Sequence, residues 1–294
     1  MSHSSGTGSL LPLSVVVTNY NTTALTVRCI EGIRRNLPRQ PAEIIVVDDA
    51  SSEKIAGQLP AGVTLIVNET NQGYVRSVNI GVARATQDLV LVLDSDAAPL
   101  DDIGTAIVDA FATVPRLGAL GFQLVDREGN PTGATQAEPT GLGLVLGQLL
   151  EHRFNHRLPR PHPDWFTIHS CAIAFRRQTF VDVGGFDDQF DFLDADTDFS
   201  MRLWRAGWEL TMAQHVRILH EGSGSPQTTA RRVVRHHANR WRLLEKHGLI
   251  THALPLKMAL AARHMAEVWY DWGRCLWPLE PLYQDLLAPK AVAC

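Results

Sequence analysis

The 294-residue chain has little of several things that would each narrow its class. It holds four cysteines, Cys29, Cys171, Cys275 and Cys294, with no paired spacing, which argues against a disulfide framework and fits a reduced, cytoplasmic setting. No apolar run reaches the roughly 18 residues that span a bilayer. Residues 1–10 are Ser/Gly-rich and lack the basic and apolar regions of a signal peptide, so they read as a flexible tail. Positive charge is not in excess: 27 Lys and Arg against 31 Asp and Glu leave −4, which argues against a dedicated nucleic-acid binder. The 16 prolines and 22 glycines are dispersed, without the tract or period of a collagen or a solenoid. What remains is the composition of a soluble globular protein, long enough for one large α/β domain or two small ones.

The chain then alternates short β-branched runs with helical patterns. Residues 13–21, 43–52, 64–68 and 88–97 read as buried strands, each apolar through its interior. Between them, Thr22 or Thr23 can cap a helix with Leu25, Cys29 and Ile33 on one face, ending near Pro38, and 71–85 reads as a helix started by glycine. Such strands predict a mainly parallel central sheet with helices on both faces. Residues 11–98 form a first half of this α/β fold. The second half, 99–225, adds a helix carrying Ile103, Ile107, Ala110 and Phe111, strands over 118–126, 166–177 and 210–220, and a Gly-, Pro- and His-rich loop over 129–163. Residues 226–294 read as a helical extension.

The polar punctuation falls at the carboxyl ends of the strands: Thr18, Asn19 and Tyr20, then Asp48 and Asp49, then Asp94, Ser95 and Asp96. In open α/β sheets ligands bind at that edge. On an extended strand Asp94 and Asp96 share a face with Ser95 opposite, and paired carboxylates suit a divalent cation. Alone, Asp-x-Asp is also the pattern of an ordinary solvated turn. The first βα turn, TNYNTT, has no glycine cradle, so a dinucleotide fingerprint is absent, and the Gly-rich, Lys-bearing start of a pyrophosphorylase is missing too.

Taken in order, SVVVTNYN, VVDDASS, Asn71-x-Gly73 with Asn79, LVLDSDA, GGFDDQF (184–190), an acidic segment before RLWRAGW (202–208), and LHEGSGS (219–225) resemble the family 2 glycosyltransferases. The resemblance covers about 11–225 and implies the GT-A fold. It also implies an inverting, metal-dependent transfer of sugar from a nucleotide-diphosphate donor, with a UDP- or dTDP-sugar expected, to a hydroxyl of a glycan, a lipid-linked sugar or a small molecule. By the same resemblance, Thr18–Tyr20 with Asp49, or Asp48, would hold base and ribose. Arg76 and Asn79 would lie on the helix whose start faces the nucleotide. Asp94 would contact ribose or metal, Asp96 would be the main metal ligand, and His220 could complete the site. Imidazole with carboxylates suits Mn2+ somewhat better than Mg2+.

One departure stands out. Where the family often has Glu-Asp before the Arg-bearing helix, this chain has Ala195-Asp196. Asp196 retains the position of the base and also sits where an N-cap is expected. Asp194 could swing in for the missing Glu and hydrogen-bond the acceptor, while Asp198 is the i, i+4 partner of Arg202. Ala195 also leaves open a catalytically weak nucleotide-sugar- or glycan-binding protein of the same fold. Trp165 and His169 are acceptor candidates without a motif. His152 and His156 are spaced i, i+4 but lack a third ligand for zinc. Residues 228–247 carry six Lys and Arg against one Glu, which is a solvated helix face or a grip for a diphosphate or an anionic head group. From 254 on, Met258, Met265, Trp269, Tyr270, Trp272 and Trp277 form an aromatic-rich segment. A homodimer interface is the first expectation for it, intramolecular packing the second and peripheral membrane contact the third.

Overall fold

Continuous apolar runs become strands here because both faces of the sheet are covered. In the computed structural model, which describes residues 10–146, 160–222, 229–250 and 252–276, four parallel strands lie in the order β3-β2-β1-β4. They are β1 (Leu11–Asn19), β2 (Pro41–Asp48), β3 (Val63–Val67) and β4 (Leu89–Leu93). β1 sends Leu13, Val15 and Val17 into one apolar cluster and Val16 into the other, while β4 divides Leu89, Leu91 and Leu93 from Val90 and Val92. That period-two division is what a strand with two buried faces requires.

Helices α1 (Thr23–Asn36) and α3 (Ile103–Thr113) cover the first face with Cys29, Ile30, Ile33, Ile107 and Phe111. α2 (Tyr74–Arg84) and α6 (Ala195–Arg205) cover the second with Val75, Val78, Val82, Phe199 and Leu203. α2 lies so close to β1 that a Cβ at Gly81 would collide with Val16.

The second half of the sheet mixes directions. β9 (Ala172–Arg176) runs antiparallel between β4 and β6 (Leu117–Val125), β10 (Glu209–His220) pairs parallel with β6, and the short β5 (Ala97–Pro99) closes the edge antiparallel to β10. The strand expected over 166–177 is two strands: β8 (Phe166–Ile168), which pairs with β7 (Thr135–Ala137), and β9. The break at 169–171 matters for the site. The remaining elements are α4 (Gly141–Leu146), α5 (Arg177–Asp182), α7 (Thr229–Lys246) and α8 (Ala253–Leu276). α8 docks on α4 through Arg263, which donates to the carbonyls of Leu144 and Val145, and turns Leu254, Met258, Met265 and Trp269 outward. No helix among the described residues is long and apolar enough to cross a membrane. His152, His156 and Trp277 lie outside the described residues, as do the side chains of Tyr270 and Trp272.

α6 is tied to the end of α7 through one carboxylate. The buried Asp198 accepts from Arg202 Nε at 2.7 Å, as its i, i+4 spacing predicts, and also meets Lys246 Nζ at 2.7 Å and His247 Nε2 at 2.8 Å. Burial works to raise its pKa, but the bonds from His247, Arg202 and Lys246 outweigh burial and hold it at about 2. A carboxyl depressed in the folded state stabilises the fold above its unfolded pKa of about 4, and that contribution disappears as pH falls toward 2. The wild type is therefore expected to lose about 2 kcal/mol more than Asp198→Asn between pH 5 and pH 2. Urea unfolding of both proteins across that range checks it, and parallel pH profiles would refute the depressed pKa.

Candidate active site

The site is built where the strands end. Asp94 and Asp96 do not sit on an extended strand: β4 stops at Leu93, and a turn closed by Ala97 N–H to Asp94 O carries 94–96 into β5. This corrects the expectation of a shared strand face. The turn still gathers the two carboxylates, and β10 brings His220 to them from the next strand. His220 Nε2 lies 3.5 Å from Asp96 Oδ1 and 3.9 Å from Asp94 Oδ2. One ligand atom from each of the three lies within 4.8 Å of the others. Burial pushes the Asp94 carboxyl up to about 6, opposed by His220 and reinforced by Asp96. Asp94 Oδ1 is buried with no hydrogen-bond partner. An unsatisfied carboxylate oxygen is costly in a native fold, and a cation would satisfy it. Two carboxylates and an imidazole therefore fit a divalent metal.

Asp196, from the first turn of α6, reaches the same edge. Its Oδ2 accepts the N–H of Ser170 at 3.0 Å, and the neighbouring Cys171 carbonyl accepts Asp94 N–H at 3.0 Å. The break between β8 and β9 thus holds the metal-type cluster and Asp196 together through successive residues. Burial raises the Asp196 pKa, while His169 and the bond from Ser170 work against it. Asp196 is not the N-cap of α6. The cap is Asp194, in the left-handed region at φ 67°, and Asp196 lies in the first turn.

Asp194 is the second correction. Its carboxylate is buried and bidentate with the buried Arg240 of α7, with Nη2 to Oδ1 at 2.8 Å and Nε to Oδ2 at 3.1 Å, so it has no freedom to swing toward an acceptor. Arg240 also reaches Gln136 of β7, whose amide donates to Thr197 Oγ1. The buried Ala195 packs in the apolar layer of α6.

The other sequence candidates are placed as follows. Asn19 is buried, its amide donating to Asp48 Oδ1 and Ser51 Oγ and its carbonyl accepting from Thr22 and Thr26. Tyr20 is exposed and Thr18 half-buried at the same strand end. Asp49 accepts from Asn68 and from the N–H groups of Gln72 and Gly73, ordering the turn before α2 beside the exposed Asn71. Ser95 Oγ bonds Thr22 Oγ1 at 2.9 Å. Asn79 is engaged away from the cluster, bonding both backbone groups of Phe186, and Arg76 pairs with Asp188 at 3.0 Å. His169 bonds the Gly133 carbonyl, and the Trp165 ring stacks 3.6 Å from His162 and 5.9 Å from Trp204.

Sequence reasoning missed Tyr74, whose hydroxyl donates to Ser170 O and whose pKa burial raises well above the ordinary phenol value. It read Arg240 only as part of the cationic run and missed its pairing with Asp194, and it missed the fully buried Glu138, which holds His162. Only the position of Tyr74 beside Gly73, at a helix start, was a usable signal.

Residues 14–183, more than half of the chain, match the sequence model described as "Glycosyl transferase family 2". The chain belongs to glycosyl transferase family 2. Among curated relatives, an N-acetylglucosaminyl-diphospho-decaprenol L-rhamnosyltransferase of Mycobacterium tuberculosis is 26% identical over 211 residues, 63% of this chain and 68% of the relative. Among solved structures, GalNAc-T7 with UDP, GalNAc and Mn2+ superposes with TM-score 0.56 at 18% identity, covering 81% of this chain and 48% of that one. The mannosyltransferase PcManGT of Pyrobaculum calidifontis, in complex with GDP-Man and Mn2+, gives TM-score 0.54 at 19% identity over 97% and 85%. At these identities the structural likeness establishes the GT-A fold, and the family match establishes a glycosyltransferase.

Proposed function

We propose that this glycosyltransferase moves a sugar, with inversion, from a UDP- or dTDP-activated donor to an acceptor hydroxyl, with Mn2+ or Mg2+ as cofactor. The observation that carries the reading is the pair of unlike carboxylate centres on one edge: Asp94, Asp96 and His220 beside Asp196, joined by the Ser170–Cys171 turn. Asp94, Asp96 and His220 would hold the cation, which when bound would neutralise the leaving diphosphate. Tyr20, Asp48 and Asp49 line the strand ends where the base and ribose would lie. As the acceptor oxygen bonds to the anomeric carbon and the bond from that carbon to the diphosphate oxygen breaks, Asp196 takes the hydroxyl proton. The name of the mycobacterial relative favours a deoxyhexose donor and a diphosphate-linked lipid sugar as acceptor.

A thermal-shift screen of UDP- and dTDP-sugars with Mn2+ tests the reading. At a hundredfold excess over Kd, the right donor should raise Tm by on the order of 5 °C. EDTA or Asp96→Asn should remove that shift. A shift that survives both would eliminate the metal role, and donor binding without transfer to any acceptor would favour the catalytically weak binding protein.

A further inference from the structure

The cationic run of α7 meets the start of α2 at a second site. A cleft of about 330 Å3 lies between the first turn of α2, the loop 188–192 and one face of α7. Arg76, Arg235 and Arg242 line it, opposed by Asp188 and Asp191. Arg235 meets Asp191 through Nε at 2.6 Å and stacks over the Phe192 ring, which fixes the guanidinium while leaving its two terminal nitrogens outside that ion pair. Arg242 is held through one terminal nitrogen, to the Gln189 carbonyl and Asn239. The first turn of α2 has no acidic side chain, but Asp49 already caps the turn before it through the N–H groups of Gln72 and Gly73, so the positive charge of the cleft comes from its arginines. Guanidinium forks are the chemistry of phosphate recognition.

None of Asp94, Asp96, His220, Asn19 or Asp48 lines this cleft, so a nucleotide held at the metal-type cluster would not place its phosphates here. Tyr74 joins the two regions: it lines the cleft and its hydroxyl reaches Ser170 O, next to the N–H that holds Asp196. A tyrosine side chain spans about the length of one pyranose ring. We propose that the cleft binds the diphosphate of a diphosphate-linked acceptor, so that the sugar it carries lies along Tyr74 with a hydroxyl toward Asp196. The orientation of that sugar rests on Asp196 being the base; the diphosphate site does not.

The test uses the full chain and inorganic pyrophosphate, titrated calorimetrically in EDTA at low salt, with UDP plus Mn2+ as the second probe. Wild type and Asp96→Asn should bind pyrophosphate alike, whereas Asp96→Asn should lose UDP. Arg235→Gln and Arg242→Gln should each weaken pyrophosphate tenfold or more and leave UDP with Mn2+ within about twofold. Arg242 is exposed, so its variant carries the test if Arg235→Gln loosens the loop. The proposal is overturned if wild type ignores pyrophosphate in EDTA. It is equally overturned if the arginine variants lose UDP as strongly as pyrophosphate, because the cleft would then serve the donor diphosphate. Failure of UDP with Mn2+ to bind wild type would instead count against the proposed donor and leave the pyrophosphate result standing.

Discussion

Asp196→Asn is expected to lower kcat for sugar transfer by about 10²–10⁴ while donor affinity stays within a few-fold, because a lost general base typically costs that much. The substitution is nearly isosteric, and the single amide oxygen can still accept one of the two N–H groups, of Ser170 or Thr197, that the carboxylate holds. What is lost is the capacity to take a proton. Burial raises the Asp196 pKa, with His169 opposing, which moves the carboxylate toward the range where a base is both ionised and strong enough to act. Transfer should therefore fall on the acid side above the ordinary carboxylate range. His169→Gln, which removes the opposing charge, should move that limb to higher pH. Steady-state kinetics with the donor found by thermal shift gives both readouts. A variant retaining near wild-type kcat would move the base elsewhere on the edge.

The strands were legible because their apolar interiors must fill two layers, and no loop composition could imitate Val15–Val17 or Leu91–Leu93. The gathering of Asp94 and Asp96 was legible too, but for the wrong reason: a turn, and not strand alternation, brings them together. The break at 169–171 was hidden, since no glycine or proline interrupts 166–177. It is imposed from outside, by Asp94 N–H on the Cys171 carbonyl and by the Asp196 carboxylate on Ser170 N–H. Local propensity cannot report bonds that are made to residues 26 or more positions away. The same holds for Asp194, whose partner lies 46 residues downstream on a helix that reads as a solvated cationic face.

That pair carries the second large effect. Arg240→Met should destabilise the fold by about 3–5 kcal/mol, because it leaves the Asp194 carboxylate buried and without its bidentate partner. Asp194→Asn should cost less: Asn tolerates the left-handed backbone at φ 67° and its amide oxygen can still accept from Arg240. Combining the two replaces the ion pair by a neutral contact, so the double variant should be more stable than Arg240→Met alone and show a coupling energy well above zero. Urea unfolding of the four proteins measures it. The earlier expectation, that Asp194 serves the acceptor, predicts a different pattern: wild-type stability in Asp194→Asn with a raised acceptor KM. In the structure Asp194 instead fixes the entrance of α6, two residues before Asp196, and Arg240 links that entrance through Gln136 to Thr197. Loss of the pair should thus lower kcat together with stability, and a stable Arg240→Met with normal kcat would show that α6 holds its base without α7.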